Sequence, residues 1–192
     1  MSNPNADYLN FKSEFLRAGK SLKERVENPH FYYIFALERL EEIGNIKTIC
    51  DVGSADGVFL ALARRKGFKA EGVEISPQAR RDCELELGIK VREKIEDFEE
   101  DFDAVVLLEV LEHVDNAEEF LETCWKKTKR VLIFTVPIKD ALKDPFHKRI
   151  FNFYDVFNLC SKLSRNFRIF FINKWERFGN PLNLFGAVVL KD

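Results

Sequence analysis

The stretch Asp51-Val52-Gly53-Ser54-Ala55-Asp56-Gly57, followed one helix later by Gly72-Val73-Glu74-Ile75-Ser76, carries the most chemistry in this chain. Lys47 to Val52 is short and β-branched, and Gly53 to Gly57 breaks it with residues that tolerate unusual backbone angles and let a ligand approach the main chain closely. Glu74 closes the next strand, and an ionised carboxylate there offers two acceptor oxygens to a pair of vicinal ribose hydroxyls. Such a pairing of turn and acid is how a βαβ unit holds an adenosine-bearing ligand. The G-x-G-x-x-G dinucleotide template needs glycines where Ala55 and Val58 stand, and no G-x-x-x-x-G-K-[ST] phosphate loop occurs.

A second chemical segment is the apolar run from Asp103 to Leu108 that leads into Glu109-Val-Leu-Glu-His-Val114. His113 lies in it, and His147 follows in the polar connection from Ile138 to Arg149. Imidazole is the side chain whose free pKa lies nearest neutrality, so these two are the candidate general bases, with packing or loop anchoring as the alternative role. Cys50, Cys83, Cys124 and Cys160 are widely separated, with no C-x-x-C and no clustered histidines. That spacing predicts four buried thiols, no disulfide framework and no metal site.

The elements that must position these residues are legible from periodicity. Tyr8 to Leu22 and Pro29 to Gly44 read as helices before the first core strand. Val58 to Lys66 reads as a helix ended by Gly67, and Phe68 to Ile75 as the second strand. Ser76 caps a helix with Pro77 at its first position and Gly88 as its stop, and Ile89 to Val91 is a short third strand. Asp103 to Leu108 is a fourth strand buried on both faces. Asp115 is the expected cap of the next helix, with Glu118 in capping-box position. Arg130 to Val136 is the fifth strand. Asn152 to Arg165 is a helix with Phe153, Val156, Phe157, Cys160 and Leu163 inward, and Phe167 to Asn173 and Leu184 to Lys191 are closing strands around a turn at Asn180-Pro181.

With 192 residues, 46% hydrophobic and 32% charged, the chain has the size and composition of one soluble globular domain. No apolar run approaches the length of a membrane span, and Met1 to Asn10 has none of the regions of a signal peptide, so a cytoplasmic location is expected. The net charge of −2 hides a polarity. Lys94 is the only basic residue from Glu93 to Glu122, whereas Lys126 to Arg177 is strongly basic, a field that would suit an anionic acceptor. Solvated helix faces explain such a run more simply. No nucleic-acid-binding module is recognisable.

In order and spacing these segments resemble class I S-adenosylmethionine-dependent methyltransferases, and the Glu-Val-Leu-Glu-His-Val segment is similar to the small-molecule methyltransferases of the ubiquinone-biosynthesis type. The resemblance implies a Rossmann-like α/β three-layer sandwich with a seven-stranded, mostly parallel sheet and one antiparallel strand. It implies an N-terminal helical lid over residues 1–45 and a cofactor-binding domain over 46–192, one domain overall. Asp51, Gly53, Ser54, Ala55 and Gly57 would hold the methionine portion of S-adenosylmethionine. Glu74 would take the ribose, Ile75 the adenine with Ile95 and Glu96 nearby, and Glu109 would face the methyl region. Ala55 stands where the family carries a glycine. The implied activity is methyl transfer to oxygen, nitrogen or carbon of a small molecule; a non-catalytic binding or scaffold module of the same fold, or methylation of a tRNA or protein, are the alternatives.

Overall fold

The computed structural model describes residues 21–138, 146–175 and 181–191. Nearly all of the expected helix from Tyr8 to Leu22, most of the Ile138 to Arg149 connection and the turn residue Asn180 lie outside them. The chain forms two compact units divided between Glu100 and Asp101.

The first unit contains α1 (Leu22–Glu27), α2 (Phe31–Ile43), β1 (Thr48–Val52), α3 (Val58–Arg65), β2 (Lys69–Val73) and α4 (Pro77–Leu87). β1 and β2 pair in parallel from Thr48↔Lys69 to Val52↔Val73, so both strands end level and the residues after each face one another. Gly57 starts α3 from a left-handed conformation, φ 82°. A Cβ there would lie 2.6 Å from both Cys83 Sγ and Leu87 Cδ1, so glycine is what lets α4 pack this close to the turn. α3 then buries Val58, Phe59, Leu60 and Ala63. Ser76 caps α4 through its side chain, Pro77 is the first helical residue and Gly88 ends the helix in the left-handed region, as the spacing predicts.

The expected third strand is absent. Ile89 and Val91 are buried, yet the segment makes a single parallel bridge, Val73↔Arg92, with one hydrogen bond in each direction, Glu74 N–H to Arg92 O at 2.9 Å and Arg92 N–H to Gly72 O at 3.0 Å. Gly88 on one side and a one-turn 3₁₀ helix at Ile95–Asp97 on the other leave too few residues for a ladder. The described residues therefore form six strands, where the sequence reading has seven.

In the second unit are β3 (Phe102–Leu108), α5 (Ala117–Lys126), β4 (Thr128–Pro137), α6 (Phe153–Leu163), β5 (Phe167–Trp175) and β6 (Pro181–Leu190), with strand order β3-β4-β6-β5. β3 and β4 are parallel, and β6 runs antiparallel to both β4 and β5, the one reversed strand of a mixed sheet. Two local expectations fail. Asn116, not Asp115, caps α5 by accepting from Glu119 N–H at 3.3 Å, because Asp115 is drawn to Lys148 at 2.6 Å. On α6 only Val156 and Cys160 are buried; Phe153 and Phe157 are 47% and 43% exposed and pack edge-on against Phe185 and Phe167. Aromatic rings satisfied by one another need not reach the core. All four cysteines are free and buried, as expected.

α1 has six residues and stands through its contacts rather than its length. Ser21 and Glu24 form its capping box, and Arg25, 9% exposed, bonds the carboxylate of Asp56 in the glycine turn, itself 6% exposed. Removing one partner of a buried ion pair strands the other charge. Arg25→Ala is expected to destabilise the chain by about 3–5 kcal/mol in urea denaturation, and a change below about 1 kcal/mol would mean the pair behaves as a solvated surface contact.

Candidate functional site

Level ends of β1 and β2 place the glycine turn against Glu74. Gly53 N–H and Ser54 N–H both donate to Val73 O, at 2.8 and 2.9 Å, and Gly57 N–H donates to Ser54 O at 2.8 Å. Gly53 and Gly57 have φ of 81° and 82°, and Ala55 between them has φ 45°, also in the left-handed region. The glycine-requiring shape of the turn is thus kept with alanine at its centre. Gly72 admits the turn from below, since a Cβ there would meet Ser54 Oγ at 2.8 Å and Leu60 Cδ1 at 2.7 Å.

Glu74 is 4% exposed, and its two oxygens join two backbones: Oε2 accepts from Ala55 N–H at 2.9 Å and Oε1 from Ser76 N–H at 2.8 Å. Asp51 is 3% exposed, and burial followed by the charge of Glu74 pushes its pKa up to about 8. Two carboxylates in one dry site do not both ionise readily, and a cationic ligand beside them would relieve both. Ile75, by contrast, presents an apolar side chain 52% exposed immediately after Glu74. Ile95 is 2% exposed and belongs to the core, while Glu96 is exposed on the 3₁₀ turn.

In the second unit Glu109 ends β3 in the left-handed region, φ 57°, held by its N–H donating to Thr135 O at 3.3 Å and Thr135 Oγ1 at 3.1 Å. Non-glycine residues in this conformation cluster where a site is over-determined by its surroundings. Two residues later a 3₁₀ turn begins, Leu111–His113, which brings His113 to within 4.8 Å of His147, ring centre to ring centre. Lys148 N–H donates to Glu112 O at 2.8 Å, and His113 Nδ1 lies 3.3 Å from Phe146 O, so residues 146–148 are stitched to the turn. Sequence reasoning named both histidines but missed Glu112, a carboxylate only 1% exposed, and Thr135, which sets Glu109. The repeated acid in Glu-Val-Leu-Glu-His was the available signal for Glu112. A separate concavity of about 400 Å³ lies among Asn116, Arg149, Phe151, Asp155 and Lys162, and its lining contains neither histidine.

A model of the methyltransferase domain family matches residues 12–166. No curated protein sequence matches the chain. Among solved structures, the chain is similar to an S-adenosylmethionine-dependent methyltransferase from Archaeoglobus fulgidus at 17% identity and a TM-score of 0.73, over 96% of this chain and 99% of that one. A second such methyltransferase, from Thermotoga maritima, matches at 14% identity and a TM-score of 0.67, over 94% and 98%. Magnesium protoporphyrin IX methyltransferase from Synechocystis, crystallised with S-adenosylmethionine, matches at 17% identity and a TM-score of 0.63, over 98% and 100%. These likenesses establish a Rossmann-like α/β methyltransferase fold.

Asp51 gives the first-unit site a pH signature. Its folded pKa lies near 8 against 3.8 in the unperturbed state, so between these values the folded chain keeps a proton that the unfolded chain releases. Stability falls as pH rises through that window, by up to about 1.4 kcal/mol per pH unit for one group. Asp51→Asn removes this term. The difference in unfolding free energy between variant and ligand-free wild type is expected to grow in the variant's favour from about pH 4 to about pH 8 and then level off. A difference that stays constant across the window would show that Asp51 ionises normally.

Proposed function

Because the chain belongs to the methyltransferase domain family, it is an S-adenosylmethionine-dependent methyltransferase, and we propose that it methylates a small molecule presented to the His113–His147 pair. The observation that carries this is the convergence of the two imidazoles, 4.8 Å apart, at the turn that begins two residues beyond Glu109. Two half-buried imidazoles side by side, one of them set by Phe146 O, are suited to orienting a nucleophile and accepting its proton.

The cofactor, when bound, supplies a methyl group already activated by a positively charged sulfur. Everything else falls to the chain. Asp51, Gly53, Ser54, Ala55 and Gly57 would cradle the methionine portion, the turn giving close main-chain approach and Asp51 a carboxylate for a cationic group. Glu74 would accept from the ribose hydroxyls through its two carboxylate oxygens. Ile75 would lie against the adenine, which its exposed apolar side chain supports better than the buried Ile95 does; Glu96 would sit at the margin. Glu109 would face the methyl region. Positioning acceptor and methyl and excluding water is the main contribution, worth roughly 7–11 kcal/mol at best.

α1 and α2 would act as part of a lid over residues 1–45 of a domain continuing through 46–192, a reading supported by the Arg25–Asp56 contact on the turn. The basic run from Lys126 to Arg177 supports an acceptor that is anionic, although Lys148 is paired with Asp115 and Lys162 with Glu118. The Synechocystis neighbour takes magnesium protoporphyrin IX, a small molecule. No helix among the described residues is long and apolar enough to cross a membrane. Four free buried thiols suit a reducing compartment and hence a cytoplasmic setting.

Two measurements test the reading. Calorimetry should show S-adenosylmethionine binding that Glu74→Gln weakens at least about tenfold, the loss of one charge-assisted hydrogen bond; no binding at millimolar ligand would sink it. Formation of S-adenosylhomocysteine with a panel of phenols, carboxylic acids, amines and sugars should fall by about 10² or more in His113→Ala while cofactor affinity holds. Unchanged turnover in that variant would place the acceptor elsewhere.

A further inference from the structure

We propose that Glu112, His113 and His147 form a binding site for a divalent transition-metal ion. The ligand atoms of the three side chains all lie within 4.8 Å of one another, and they come from two segments that the Lys148 N–H to Glu112 O bond fixes together. The sequence reading expected no metal because these residues are not clustered along the chain. The fold clusters them.

Hydrogen bonding around His113 gives the argument its chemistry. Its Nδ1 lies 3.3 Å from Phe146 O, and a carbonyl only accepts, so the ring proton of the neutral imidazole sits on Nδ1 and Nε2 presents a lone pair. That lone pair is 3.7 Å from Glu112 Oε1, on a carboxylate 1% exposed. Two acceptors this close repel one another unless a cation or a proton lies between them. A metal bound at ordinary imidazole and carboxylate lengths of about 2.0–2.2 Å would hold its ligand atoms about 3.0–3.4 Å apart, a few tenths of an ångström inside the 3.7 Å between Nε2 and Oε1, and binding would draw the trio, now spread within 4.8 Å, closer together. A ligating histidine normally donates its other ring N–H to a carbonyl or carboxylate, which is what Nδ1 does here.

Two imidazoles and one carboxylate suit manganese, cobalt, iron or zinc; magnesium and calcium prefer an all-oxygen shell. Three protein ligands leave coordination positions open. Resting on the methyl-transfer reading, with the imidazoles serving as metal ligands in place of proton acceptors, an oxygen of the acceptor would occupy one of them, which makes acceptors with a free hydroxyl or enol the expected class. The competing arrangement is a proton on Nε2, an imidazolium paired with Glu112.

The test is titration of the full chain with cobalt(II), followed by calorimetry and visible absorption. One ion per chain is expected, displaced by zinc and not by magnesium. His147→Ala and Glu112→Gln should each weaken cobalt binding at least about tenfold, with circular dichroism and S-adenosylmethionine affinity retained in His147→Ala. Absence of stoichiometric binding, or equal cobalt affinity in His147→Ala, would overturn the site and leave the imidazolium pair. Cobalt binding without S-adenosylmethionine binding would preserve the site while removing the methyl-transfer reading; the converse would do the opposite.

Discussion

Glu74 is the interaction on which the first unit's site depends. Its carboxylate ties the turn after β1 to the start of α4 through Ala55 N–H and Ser76 N–H, so two loops from different strand ends share one anion. Charge-assisted bonds of this kind are about twice as strong as neutral ones, enough to hold a buried carboxylate that would otherwise be costly. The consequence falls on Asp51. Burial first, and the charge of Glu74 after it, push the pKa of Asp51 up to about 8. One carboxylate builds the turn and the other is left to respond to whatever charge arrives, which is the division expected when paired acids are pushed apart by their surroundings.

The first unit was legible in the sequence because its devices are local. Gly53, Gly57, Ser76, Pro77 and Gly88 each do what their residue type permits within a few positions of where they stand. Gly72 is the exception that periodicity does not reveal, since its need for a missing side chain comes from Ser54 and Leu60 across the turn. The seventh strand was misread for the same reason in reverse. Ile89 and Val91 have strand-like burial, but a ladder needs partner residues, and the neighbouring cap and 3₁₀ turn consume them. Likewise Asp115 and Asn116 are both good caps by type, and only the distant Lys148 decides between them.

The second unit's site was named in parts and not as a whole. His113 and His147 were both visible as the residues able to exchange protons near neutrality, but nothing along the chain says that they meet. Their meeting depends on backbone bonds from residues 146–148 to the 3₁₀ turn, and on the left-handed Glu109 that redirects the chain out of β3. Glu112 then acquires its character from burial, which spacing alone cannot supply. α6 shows the limit of pattern reading in another way: Phe153 and Phe157 satisfy the inward template, yet Val156 and Cys160 alone complete the buried stripe, and the rings pack along its border.

Ala55 is where magnitudes decide. An alanine held in the left-handed region costs roughly 1–2 kcal/mol relative to a conformation its Cβ prefers. A glycine would avoid that cost, although it would surrender about 0.4–1 kcal/mol through the greater freedom of the unfolded chain. Against the remainder stands the hydrogen bond from Ala55 N–H to an ionised carboxylate at 2.9 Å, of a class worth about 1.5–3 kcal/mol. The bond requires the turn's backbone angles and not a particular side chain, so the same interaction that positions Glu74 also holds Ala55 where a glycine would sit without strain. The turn keeps its shape with φ 81°, 45° and 82° at residues 53, 55 and 57. A methyl group at the middle position therefore leaves the shape of the turn intact, and the departure from the glycine pattern is a local substitution held in place by the bond to Glu74.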